Sequence, residues 1–311
     1  MPQPIKPPAL RPGDAIRVVS LASPVQEDHL QAGCDELARL GYVAKLDRAN
    51  ALARESFFAG STASRLAALK DALADPAARA IFCSRGGYGS NHLLDGLSVA
   101  LAAPKIFLGS SDLTSLQLFL WQKFGWVTFY GPMVASNFDR GAGAPNGYDG
   151  PSLMSALTET RHGWSIDLQG SPMGSGQAEG TVLGGCLTLV EASLGTPWEL
   201  DTQRAILLLE DRGMKPYQVD RALMHLKQAG KFRSVAGIVL GDFPECDPPP
   251  DGETVESVAG RILAPLGVPI VWGVPIGHTL RSTLTLPLGV RAELSSAGRG
   301  VLKILEPACT S

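Results

Sequence analysis

The sequence lacks the uninterrupted apolar run of roughly 18 residues that a membrane-spanning helix needs, so no span is expected anywhere in its 311 residues. It also lacks a charge surplus. Lys and Arg number 27 against 30 Asp and Glu, a net charge of −3. Holding nucleic acid by bulk charge takes a basic excess or patch that neutralises phosphates, so that class is excluded. The start, MPQPIKPPALRPGD, has no apolar h-region, and no secretory signal is expected. Cysteine is scarce: Cys34, Cys83, Cys186, Cys246 and Cys309 are an odd number, widely spaced, with no CxxC. They read as reduced cytosolic thiols rather than a disulfide frame or zinc site. Histidines and cysteines never gather at ligand spacing, so no metal is expected, and the chemistry read below requires no cofactor.

What is present is a foldable core. Hydrophobic residues make up 45% of the chain, which excludes wholesale disorder, and the length suits two domains. With 35 Gly and 23 Pro, the chain must be built of short elements joined by tight turns, not of long helices. Strands are expected at 15–20, 42–46, 80–83 and 105–109, alternating with helices at 26–40, at 61–73 and directly after Asp112. That alternation implies a mostly parallel α/β sheet. From 139 to 180 the sequence turns rich in Gly, Pro, Ser and Asn, with one short helix expected near Pro151–Thr158. A second apolar block then carries strands at 205–209, 237–241 and 270–274, with helices between them and only short strands and turns at the end. We therefore divide the chain into an N-terminal α/β domain (1–140), a linker (141–178) and a C-terminal domain (179–311).

Four places carry chemistry. Ser111 stands where a strand ends and a helix starts, between Gly109 and Asp112. Such a turn pushes a side chain out at the carboxyl end of a sheet, with helix-start amides aimed the same way. The plainer reading is a helix cap. The loop Ser84-Arg85-Gly86-Gly87-Tyr88-Gly89 also follows a strand. Its glycines let amides approach a ligand, although it is neither a P-loop nor a dinucleotide fingerprint. Arg85 suits a substrate carboxylate or an ordinary surface position. Of the five histidines, His278 stands apart, in the turn after a buried strand, whereas His29 and His225 lie on amphipathic helices, His162 in the linker and His92 after the glycine loop. Glu210 closes the apolar run AILLL, placed to orient a histidine or to pair with Arg212 or Arg221.

Together these pieces resemble the LD-carboxypeptidases, the muramoyltetrapeptide carboxypeptidases of serine peptidase family S66. The matching stretches run in order along the chain: RPGD, CSRGGYG, FLGSSDLTSL, YGPM, GTVLGGCLTLVEASLGTPWE, LLLEDRGMKPYQVDRAL, GIVLGDF and PIGHTLRSTLTLPLG. The resemblance implies an N-terminal parallel-sheet domain of flavodoxin or glutamine-amidotransferase type and a C-terminal α+β domain with a β-rich, barrel-like core. It implies a Ser111–Glu210–His278 triad and an oxyanion hole from the Gly87 and Asp112 amides; Arg85 is our own candidate for gripping a substrate carboxylate. The resemblance further implies a small muropeptide substrate that loses a terminal D-alanine and a homodimer, while the scattered thiols suggest a cytoplasmic location and the charge and hydropathy suggest neither nucleic acid nor membrane as partner. Two other activities stay open: a microcin C immunity-type hydrolase acting on a peptidyl nucleotide, and a non-catalytic muropeptide-binding protein. The chain departs from the family pattern at Ser110, where an aromatic is common, and at Tyr130, where His precedes Gly-Pro-Met. It departs again at Cys186, where Asn follows Gly-Gly, and at Met214, where an acid is frequent.

Overall fold

The computed structural model of the protein describes residues 1–97, 103–250 and 252–311. Its first five strands are β1 (Ala15–Val19), β2 (Val43–Lys45), β3 (Ala78–Cys83), β4 (Ile106–Gly109) and β5 (Thr128–Tyr130). Apart from β2, and from Arg17 in β1 and Arg79 in β3, they are short apolar runs buried on both faces, as parallel strands between helical layers must be. They pair in parallel in the order β5-β4-β3-β1-β2. The chain reverses direction across the sheet between β1 and β3, so the crevice at their carboxyl ends is a topological switch point. The loops that leave those two strands are laced together there: Ser23 N donates to Gly86 O at 3.2 Å, and Tyr88 N to Ser23 Oγ at 3.1 Å.

The remaining strands are β6 (Trp164–Asp167), β7 (Ser171–Gly174), β8 (Gln177–Cys186), β9 (Ala205–Glu210), β10 (Gly237–Gly241), β11 (Ile270–Val274), β12 (Leu286–Leu288), β13 (Arg291–Ser295) and β14 (Val301–Ile304). Eight of them form a mixed sheet in the order β6-β14-β13-β8-β9-β10-β11-β7, with a parallel centre from β8 to β11. The expected barrel-like core is corrected by this order: β6 and β7 are its two ends, and the sheet is open. β12 is exceptional. It leaves the second half of the chain and adds antiparallel to β5, at the edge of the first sheet.

Residues 141–178, read from sequence as a linker, carry the helix Gly150–Thr158 and the two terminal strands β6 and β7. Edge strands need only one apolar face and tolerate polar and glycine-rich sequence, so their periodicity is weak. The helix Thr114–Phe124 fastens the two sheets. Its run LTSLQLFLW is buried on every side, as a helix without a polar face must be, and each buried Leu or Phe stabilises by about 1.5–3 kcal/mol. Its buried Gln117 donates to the carbonyls of Gly109 (3.1 Å) and Phe129 (2.8 Å), bracing the ends of β4 and β5. No helix among the described residues is long and apolar enough to cross a membrane.

Candidate active site

β4 ends at Gly109, and the chain turns through Ser110 into a single 3₁₀ turn, Ser111–Leu113, before the buried helix. Ser111 takes φ +60°, the left-handed region that costs a non-glycine residue about 1–3 kcal/mol. This conformation sets the side chain at the carboxyl end of the sheet, as a strained nucleophile turn does. Among the described residues its hydroxyl makes no hydrogen bond, so the helix-cap alternative is not what this side chain does.

The glycine loop packs directly on that turn. A Cβ on Gly86 would lie 2.8 Å from Ser111 Cβ and 3.4 Å from Asp112 N, so only glycine lets the loop come this close. The loop is held by the residues beside it. Ser90 N donates to the Asp112 carboxylate at 2.8 Å, and Ser90 Oγ donates back to Asp112 O. Arg65, 1% exposed, donates to Gly89 O and Leu21 O at 2.7 Å and to Gly60 O at 3.2 Å. Burial pulls the Arg65 guanidinium below its usual range, opposed by the charge of Asp112, and burial raises the Asp112 carboxyl, opposed by the Ser90 and Gly89 amides. The Gly87 and Asp112 amides donate to no protein acceptor among the described residues.

Glu210 ends β9, fully buried, and sits opposite Cys186 in the β8–β9 register. One carboxylate oxygen, Oε2, accepts from His278 N at 2.9 Å and meets His278 Nδ1 at 2.8 Å. The other, Oε1, accepts from the Tyr130 hydroxyl. An ionised carboxylate only accepts, so Nδ1 carries a proton, and in the neutral ring Nε2 keeps its lone pair. Gly277 makes this approach possible: at φ +56°, a Cβ there would stand 2.5 Å from Glu210 Cδ. Beyond His278 the turn is pinned to the end of β10, where Asp242 accepts from Thr279 Oγ1 and from Arg281.

Burial alone would raise the Glu210 carboxyl, but the facing His278 and the hydrogen bonds from His278 and Tyr130 hold it below the usual carboxylate range. Burial alone would lower His278, and Glu210 beside it lifts the imidazole above its ordinary 6.5. The two halves of the chain therefore place a buried anion and a histidine whose charged form it favours beside the serine turn. Ser111, His278, Arg85 and Gly87 line one cleft, together with Arg212 and Glu245. Ser111 Oγ and the His278 ring share it without a direct hydrogen bond among the described residues, a contact that often tightens only around substrate. Arg85 donates to Pro24 O at 3.2 Å. Arg212 pairs with Glu245, not with Glu210.

The other four histidines sit elsewhere: His29 on Asp139, His225 on Glu191, His92 against Phe58 and Tyr88, and His162 in the bend before β6. Among the described residues no tryptophan lines the cleft. Sequence reasoning missed Tyr130, Arg65, Ser90 and Asp242 as parts of the site. Only Tyr130 had left a trace, as a departure in the Gly-Pro-Met motif.

Comparison with known proteins falls on both halves. Residues 16–131 match the model of the LD-carboxypeptidase N-terminal domain, and residues 179–294 that of the LD-carboxypeptidase C-terminal domain. The chain is 35% identical over 299 residues to a Bacillus subtilis protein named "Probable murein peptide carboxypeptidase", covering 94% of this chain and 92% of that one. The crystal structure of muramoyltetrapeptide carboxypeptidase from Oxalobacter formigenes superposes with a TM-score of 0.81 at 27% identity, over 96% of this chain and 100% of that one. The microcin C7 self-immunity protein MccF, at 23% identity, has a TM-score of 0.86 over 99% of this chain and 100% of that one, a likeness of fold.

Proposed function

The chain belongs to the LD-carboxypeptidases of serine peptidase family S66, and on that premise we propose that it hydrolyses the L,D-amide bond releasing terminal D-alanine from murein tetrapeptides. It is a serine-type peptidase, and in this reading Ser111, Glu210 and His278 are its triad. One observation carries the reading: Glu210 and His278, from the second half of the chain, are hydrogen-bonded at the edge of the cleft that the strained Ser111 turn lines. His278 Nε2 takes the Ser111 proton as Oγ attacks the scissile carbonyl. Glu210 holds the tautomer and stabilises the imidazolium. The Gly87 and Asp112 amides receive the oxyanion, each worth about 2.7–4 kcal/mol where such donors have been removed. His278 then protonates the leaving amine of D-alanine, and water attacks the acyl-enzyme. Mass spectrometry of muropeptides incubated with the protein tests the reading. Loss of one alanine from tetrapeptides supports it, and intact tetrapeptides with cleavage of an aminoacyl nucleotide would replace it with the immunity-type activity.

The base must be neutral to act. Because the folded His278 is lifted above 6.5, its active form is lost as pH falls through that raised value. The kcat/KM profile is expected to show an acid limb with its midpoint above 6.5. A midpoint below that figure removes the Glu210–His278 coupling from the mechanism.

Arg85 is the substrate carboxylate contact in this reading, since it lines the cleft and, among the described residues, spends one donor on Pro24 O. Arg85→Ala is expected to raise KM about tenfold with kcat little changed, the signature of lost ground-state binding. An unchanged KM withdraws that role. We place the enzyme in the cytoplasm as a homodimer, the location supported by five free thiols. Cell fractionation and analytical ultracentrifugation check these two points.

A further inference from the structure

The hydroxyl of Tyr130 occupies a position that the mechanism above leaves unexplained. Tyr130 ends β5 in the first sheet and is fully buried. Its Oη accepts from Ser111 N at 3.0 Å and donates to Glu210 Oε1. One oxygen thus touches the backbone of the serine turn and the carboxylate that holds the histidine. The two contacts lie on different sheets, 19 and 80 residues away in sequence.

We propose that Tyr130 is a positioning residue, tying the serine turn of the first sheet to Glu210 of the second through a single hydroxyl. This rests on the Ser-Glu-His reading and deepens it. The Ser111 amide is spent on Tyr130 and is unavailable to an oxyanion, which leaves that work to Gly87 and Asp112. The same bond opposes relaxation of Ser111 out of its left-handed conformation, because a rotated peptide would take from the part-buried amide and the buried Tyr130 oxygen the bond they share. At the other end, the phenol occupies Oε1, so that only Oε2 is left to meet His278. Gly185 makes room for the ring: a Cβ there would lie 3.0 Å from Tyr130 Cε2.

A buried tyrosine that merely fills space beside an acid would leave the histidine untouched when its hydroxyl is removed. A positioning hydroxyl would not. His278 is surrounded by Glu210 of β9 and by Asp211 and Arg212 just after it. Tyr130 of β5 and Cys186 of β8 face Glu210. Arg85 and Glu245 line the same cleft, and Asp242 and Arg281 hold the turn beyond. Within that set, only the Tyr130 hydroxyl donates to Glu210 Oε1. Removing it concentrates negative charge on the carboxylate and favours the imidazolium.

The test is Tyr130→Phe, read in two ways. The His278 ring is titrated by NMR in the substrate-free protein, its signal identified by its absence in His278→Gln. The midpoint is expected to rise by about 0.5–1 pH unit, and the acid limb of kcat/KM to move up with it. In the assay, kcat is expected to fall about 10–100-fold with KM little changed, since it is geometry that is lost and not binding. An unchanged midpoint, or a shifted midpoint with unchanged kcat, overturns the proposal. Should Tyr130→Phe not fold, protein made with 3-fluorotyrosine keeps the ring in place. Its more acidic phenol donates more strongly, so the His278 midpoint is expected to fall, and a midpoint that stays put overturns the proposal again. If the wild type releases no D-alanine from any muropeptide, the functional reading fails, while the NMR titration still decides whether Tyr130 acts on His278.

Discussion

Ser111→Ala is expected to lower kcat for D-alanine release by about 10⁵–10⁶-fold, the scale at which removal of a hydroxyl nucleophile disables a whole triad. What makes this variant informative is how little else it changes. The Ser111 hydroxyl has no hydrogen-bond partner among the described residues, so its removal orphans nothing. The amide that pins the turn to Tyr130 is backbone and survives in alanine. The left-handed φ of +60° is as costly for Ala as for Ser. The thermal midpoint is therefore expected to stay within a few degrees of wild type, at about ±0.5 kcal/mol. Activity against muropeptides and melting by circular dichroism are measured on the same preparation. Turnover within about tenfold of wild type, with the fold intact, would remove Ser111 as the nucleophile.

Glu210→Gln is expected to cost about 10⁴-fold in kcat, as the loss of the orienting acid does in such triads. The reason lies in donor counting. Glu210 receives three hydrogen bonds, one from Tyr130 and two from His278, and a carboxylate can accept them all. Glutamine has one accepting oxygen. With that oxygen toward Tyr130, its amide N–H faces His278 and forces Nδ1 to accept, which moves the proton to Nε2 and removes the base. Turned the other way, the amide faces a hydroxyl whose own proton then has no acceptor. Either arrangement buries an unsatisfied group and costs about 1–3 kcal/mol, so the thermal midpoint falls as well. The pH profile moves opposite to that of Tyr130→Phe. Without the anion, burial dominates at His278, and its midpoint drops below that of the wild type. A variant that kept wild-type kcat, or whose acid limb did not move down, would show that Glu210 does not orient the base.

Much of the architecture was legible because its signals are local. Short apolar strands such as AIFC and IFLG, each followed by a polar turn, mark parallel strands buried on both faces. The helix LTSLQLFLWQKF, with hardly a polar face, had to lie inside. That the second sheet is open and not barrel-like was not legible, because whether a sheet closes depends on which edges meet. The strands β6 and β7 hid in a stretch rich in Gly, Pro and Ser, since an edge strand in contact with solvent carries little periodicity. Neither could the sequence show β12 crossing to the first sheet, because the three residues Leu286–Leu288 have no pattern that names their neighbour.

The site divides along the same line. The sequence by itself determined which side chains stand at the ends of strands: Ser111 after β4, Glu210 closing β9 and His278 in the turn after β11. Those positions follow from chain order, strand length and turn chemistry, all of which act over a few residues. Only the tertiary structure decided that they meet, and what holds them where they meet. The 2.8 Å contact between Glu210 and His278 spans 68 residues, and the Tyr130 bond to Glu210 spans 80. Contacts of that kind depend on how two sheets pack across one buried helix, and on the space left by Gly86 and Gly277. Side-chain volumes and carbonyl directions from distant segments set that packing jointly, and no local pattern encodes it.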